Sequence, residues 1–224
     1  MTHQLRVTLE IGKNAKKVAV VAPDWPGLER GAKTADLALA KLESYRPRYT
    51  YIAQLAGMGE EFSALTTLKL VEEYPGTGST DFWGISFAFS SIDRESLSSA
   101  ALERELTLMR ACWTFFDEVR FRVSAELKKG PRGGGRDRDR IIQHTIGVEM
   151  DWAAGVGVHI LEDANPTEKA LSAHRDAYCD AIRSFHAEGK MARKWPLRYL
   201  IRHTAYHTMD HAWEMEDKDL TQIS

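Results

Sequence analysis

The stretch Trp195-Pro196-Leu197-Arg198-Tyr199-Leu200-Ile201-Arg202-His203-Thr204-Ala205-Tyr206-His207-Thr208-Met209-Asp210-His211-Ala212-Trp213-Glu214-Met215-Glu216 decides how this chain is read. It holds no glycine, and its only proline stands at the start, where a missing N–H costs nothing, so a helix from Pro196 to about Asp217 is predicted. Two histidine pairs have the one-turn spacing that places side chains on a common face, His203/His207 and His207/His211. With Leu200 at the centre of the apolar stripe, His207 and His211 fall within roughly 20° of it and His203 roughly 60° to one side, at about 100° per residue. Two inward imidazoles are costly to bury unsatisfied, and their spacing suits chelation of one metal ion. Between them stands Thr208-Met209-Asp210, so the H-E-x-x-H pattern of zinc peptidases, with its built-in base, is missing.

A pair needs a third ligand, and periodicity leaves two histidines open. His144 borders the stripe of Ile141, Val148 and Trp152 in a helix expected from Asp137, a candidate N-cap, to about Leu161. His174 borders that of Leu171, Tyr178, Ile182 and Phe185 in one expected from Glu168 to Ala187. Leu102, Leu106, Met109, Trp113, Phe116, Val123 and Leu127 predict a further helix from about Ser98 to Lys128. Four helices with short connections predict a bundle, whose facing helices are where metal sites are built.

A histidine in the second helix of such a bundle and H-x-x-x-H in the last resemble the DinB-like metalloproteins. The run Leu200 to His211 is similar to their Leu-x-His-x-x-x-His-x-x-x-His, shifted by one residue at the leucine. The resemblance covers about the second half of the chain. It implies a metal triad of His144, His207 and His211, with His203 the extra, non-ligand histidine. The family's Arg-Gly-Gln after the last histidine is replaced by Ala212-Trp213-Glu214, which alters the expected pocket. Glu214 falls near the His207/His211 face, where a fourth ligand, a base and an exposed charge at the helix end are all open readings. Three neutral imidazoles leave a coordination position open, as in catalytic rather than structural sites. Zinc or nickel is the expected ion, since imidazole suits both. The resemblance implies a thiol-dependent transferase or isomerase acting on small molecules with a low-molecular-weight thiol. The alternatives are a non-catalytic metal-binding or stress-response protein with a structural metal, and a metal-dependent hydrolase.

The first ninety residues follow another pattern. Leu5 to Ile11 alternates apolar and polar, Gly12-Lys13-Asn14 turns, and Lys16 to Val21 continues as a second strand of a hairpin. Asp24-Trp25-Pro26-Gly27 turns again before a short edge from Leu28 to Arg30. Thr34 is the expected N-cap of a helix from Ala35 to Tyr45, with Leu37, Ala38, Leu42 and Tyr45 on one face and Pro47 ending it. Leu65 to Tyr74 has strand character and Pro75 to Ser79 reads as a loop. Val20 to Leu42, above all Asp24-Trp25-Pro26-Gly27-Leu28, resembles the small HicB-like α/β fold, whose relatives recognise proteins or RNA. The expected architecture is α+β and mainly α: a HicB-like accessory domain at 1–90 and an up-and-down four-helix bundle with the metal site at 91–224.

Composition narrows the setting. Hydrophobic residues are 43% and charged residues 28%, as in ordinary soluble proteins. A net charge of −2 gives no global attraction to nucleic acid or an anionic membrane, and no apolar run spans a bilayer. No apolar leader opens the chain, so a cytoplasmic location is expected. Cys112 and Cys179 fit no C-x-x-C pattern and read as buried thiols in amphipathic helices. Arg132 and Arg136 flank three glycines before the His144 helix, where they would attract an anion or merely border a mobile connection. The partners expected are a small-molecule substrate and, compatibly, a second copy in a homodimer.

Overall fold

The computed structural model describes residues 3–130 and 134–221. The fold is α+β: a four-stranded mixed sheet and, among the described residues, eight helices. The strands are β1 (Gln4–Ile11), β2 (Val18–Val21), β3 (Glu29–Ala32) and β4 (Thr67–Pro75), in the order β3-β2-β1-β4. β4 is parallel to β1 and the other pairings are antiparallel. Leu5, Val7 and Leu9 of β1 point to the core as their alternation predicts, whereas all four residues of β2 are buried. The sheet is therefore covered on both faces at β2, which explains why its apolar run does not alternate.

Helix α1 (Ala35–Leu55) starts at Thr34, whose side chain accepts from the Leu37 N–H, and it does not stop at Pro47. An interior proline removes the bond to the carbonyl four residues back, here that of Glu43. Burial beyond it carries the helix on. Tyr49, Ile52 and Ala53 are fully buried, the Tyr49 hydroxyl donates to the Pro26 carbonyl at 2.6 Å, and Trp25, Tyr49 and Phe62 pack edge-on or tilted. Leu37, expected on the buried face, is 57% exposed. Helix α2 (Gly59–Ser63) supplies Phe62. The expected loop at Pro75 to Ser79 leads into α3 (Gly78–Trp83), which a capping box of Thr77 and Thr80 starts, and Ser90 with Asp93 does the same for α4 (Ser91–Arg94).

The four long helices are α5 (Ser99–Arg122), α6 (Arg138–Ala154), α7 (Glu168–Ala187) and α8 (Leu197–Asp217). α5 ends six residues before Lys128, because Val123 turns extended and Ser124 donates through its N–H and hydroxyl to Asp219. Val123 and Leu127 are still buried as their spacing predicted. α6 stops well short of Leu161, at Gly155-Val156-Gly157, where Gly157 takes a φ of +86°. Asp137 precedes α6 but makes no cap bond; its carboxylate instead accepts from Lys129 and the Leu127 N–H. The tie between the Lys128 N–H and the Lys218 carbonyl, at 2.8 Å, fixes this linker to the end of α8.

α8 packs on α5 and α6, and α1 packs on α5. α7 joins through Arg175, which donates to Glu149 of α6 and Asp117 of α5, and through a Tyr178–Thr204 hydroxyl contact. One hydrophobic core runs from Leu5, Val20 and Tyr49 to Met109, Phe116, Met209 and Trp213, so it crosses residue 90, where the sequence pattern changes. A buried polar cluster crosses there too. Arg202 of α8 grips Asp93 with two bonds of 2.6 and 2.8 Å, and Glu10 of β1 accepts from Ser86, Phe87 and Ala88.

Candidate metal centre

α8 brings His207 and His211 to one face, one turn apart, and α6 lays His144 against them. One nitrogen from each of the three falls within 4.8 Å of the others. The Nε2 atoms of His144 and His207 are 3.3 Å apart, and the ring centroids of the three are 4.6 to 5.1 Å from one another. Two nitrogens at about 2.0–2.1 Å from a tetrahedral ion are separated by about 3.3–3.4 Å, so the His144–His207 spacing fits a shared ion. No fourth His, Cys, Asp or Glu joins the group among the described residues.

The electrostatics leave two of the rings neutral. Burial, then the neighbouring His211, pushes the His144 pKa down to about 4, and burial with the two other imidazoles pushes that of His207 well below its ordinary value. Both rings are neutral at pH 7, the form that offers a lone pair to a metal. The third ring is oriented from outside. His211 Nδ1 lies 2.8 Å from a Glu214 carboxylate oxygen, whose other oxygen accepts from Lys218 at 2.5 Å. The bond from His211 holds the Glu214 pKa down at about 2, so an ionised carboxylate faces Nδ1 and Nε2 is the nitrogen a ligand would take. Glu214 thus belongs to the histidine rather than to the site's interior.

The remaining expected residues are placed elsewhere. His203 is 4% exposed and lies deeper than the stripe's edge, boxed by Phe87, Trp152, Trp195, Tyr199 and Tyr206. Burial pushes its pKa down to about 3, and Nδ1 has no hydrogen-bond partner. His174, which periodicity left equivalent to His144, is buried beside Glu149, 3.8 Å away, in the Arg175 cluster. Arg136 is exposed, and its charge is among those lowering the pKa values of His144 and His207. Arg132 lies outside the described residues. Cys112 and Cys179 are buried free thiols.

Two neighbours of the site escaped the sequence reading. Trp152 packs against both His203 and His207, with centroids 4.8 and 5.3 Å away, and walls the triad from the aromatic box. Lys218 anchors Glu214, and the one-turn spacing of the two was a signal in plain view. In comparisons with family models, curated proteins and solved structures, the chain matches none.

Proposed function

We propose that the chain is a DinB-like metal-dependent enzyme, with α5 to α8 forming an up-and-down four-helix bundle around one divalent ion, zinc or nickel. The observation that carries this reading is the convergence of three imidazoles from two helices within 4.8 Å, with a carboxylate fixing the outer nitrogen of His211. His144, His207 and His211 would hold the ion through neutral nitrogens. The chemistry it supplies is Lewis acidity, drawing the pKa of a small thiol or a water toward neutrality. The chain's own part is to keep two rings unprotonated by burial, to hold the proton on His211 Nδ1 through Glu214, and to bar water on the Trp152 side. Arg136 would draw a negatively charged group to the mouth.

Three histidine ligands with no fourth protein ligand among the described residues favour thiol transfer, with a low-molecular-weight thiol as co-substrate, over a purely structural ion. No helix among the described residues is long and apolar enough to cross a membrane, and we place the reaction in the cytoplasm. Cobalt-substituted protein tests the reading. Titration with cellular thiols should raise a sulfur-to-metal charge-transfer band that is lost in His211→Ala. A fully cobalt-loaded protein whose spectrum no thiol changes would exclude the transferase and leave hydrolysis or a structural ion.

A further inference from the structure

A cationic, apolar-tipped patch that includes none of the three histidines lies on the turn between β1 and β2, on α3, and on β3 with the first turns of α1. Phe82 and Trp83 are 67% and 61% exposed, packed edge-on with centroids 4.5 Å apart, and Leu37 adds a third exposed apolar side chain. Exposed large side chains this close together are the feature of a soluble surface that calls for explanation.

The three segments are locked into one surface. Lys17 Nζ donates to the Phe82 carbonyl at 2.6 Å, Lys41 Nζ to that of Gly31 at 3.4 Å, and the Lys13 N–H to that of Thr77 at 3.2 Å. Gly31 and Gly84 touch so closely that a Cβ on Gly31 would sit 1.8 Å from the Gly84 carbonyl oxygen. Lys17 thus touches the aromatic pair's own helix, Lys13 and Lys16 lie on the turn tied to it, and Lys33 and Lys41 lie on the adjoining segment beside Gly31, all but Lys17 exposed. Of the three acids on these segments, Glu29 is buried and Asp81 accepts from the Asn14 and Lys16 N–H groups; only Asp36 is exposed. A chain of net charge −2 thus carries a local positive pole, which the overall charge hides.

We infer that this patch docks on an anionic lipid surface, with Phe82, Trp83 and Leu37 entering the interface and the lysines meeting the headgroups. Stable attachment without a spanning helix takes two signals, apolar insertion and a basic cluster, and both are here on one surface. The supporting elements are a turn, a helix of six residues and a helix start. Their apolar tips project outward, which suits a lipid interface better than the groove a peptide would need. The exposed cations of the patch are lysines, Arg30 of β3 being buried, and its two rings pack edge-on against each other rather than standing apart as platforms for successive bases, so single-stranded nucleic acid fits less well.

The test is co-sedimentation of the full chain with vesicles of phosphatidylcholine alone or with about a third phosphatidylglycerol. Partition onto the anionic vesicles should exceed that onto neutral ones by at least about tenfold and fall as salt rises. Phe82→Ser/Trp83→Ser and Lys13→Glu/Lys16→Glu should each reduce it about tenfold or more, with unchanged circular dichroism and metal content. Inorganic phosphate at matched ionic strength should not compete. No anionic preference in the wild type, or unchanged binding in both variants, would overturn the inference. So would tight binding to RNA or an acidic peptide without vesicle binding, or a dimer that the Phe82→Ser/Trp83→Ser change dissociates while vesicle binding is absent.

Discussion

Glu214 orients one of the three histidines proposed to hold an ion without joining them. Its bond at 2.8 Å leaves His211 with Nε2 free, and Lys218 keeps the carboxylate in place. Carboxylates behind metal-bound histidines are worth about 10–100-fold in affinity. Glu214→Ala should weaken zinc by that factor while Glu214→Gln, which still accepts from Nδ1, loses less; competition with a chromophoric chelator measures both. His203 carries the opposite lesson, a histidine kept neutral without a proton partner. Its folded-state pKa of about 3, and about 4 for His174, lie below the ordinary 6.5. Between those values the unfolded chain binds protons that the folded one refuses, so stability is fully present above 6.5 and is lost as the pH falls toward 3. Denaturant midpoints should drop steadily from pH 7 to 4.5, and His203→Phe should flatten the slope; an equal slope would show that His203 titrates alike in both states.

At the scale of elements, α5, α6, α7 and α8 were legible because apolar residues recur every three or four positions. Ser98 and Thr167, whose side chains accept from the N–H three residues on, were equally local signals. The ends were harder to read. α5 stops where Asp219, 95 positions on, takes the Ser124 N–H, and no local pattern contains that partner. α3 and α4 rest on capping boxes too short to show periodicity. The His207/His211 pair was legible for the reason the long helices were, since both lie on one element; the choice of His144 over His174 needed a family likeness, because both border apolar stripes. The Arg202–Asp93 clamp was invisible, being 109 residues apart. Pro47 misled because a local rule was outweighed by the burial of Tyr49, Ile52 and Ala53 beyond it. Pro47→Ala should restore the bond to Glu43 and raise stability by about 1–2 kcal/mol, the gain of the interior bond less the added freedom of the unfolded chain. A loss of stability on chemical denaturation would mean that the backbone the proline imposes is needed for packing.

At the scale of the whole molecule, the change of pattern near residue 90 is not matched by a break in packing. Trp25 and Tyr49 belong to the same core as Met109 and Met209, and Glu10, Asp93 and Arg202 share one polar cluster with Ser86. Two parts joined this way should unfold together, in one calorimetric transition whose van't Hoff and measured enthalpies agree. Two separated transitions would make residues 1–90 and 91–224 independent units. The shared core also positions the candidate metal centre, since α8 carries two of the three histidines while packing on α5 and α6. The most direct test of that centre is zinc and nickel analysis of purified wild type, His207→Ala and His203→Ala, with X-ray absorption on the loaded protein. Wild type and His203→Ala should hold one ion per chain with three imidazole nitrogens at about 2.0–2.1 Å, and His207→Ala should hold almost none. Equal metal in wild type and His207→Ala, or none in a wild type given excess zinc and nickel, would contradict the account.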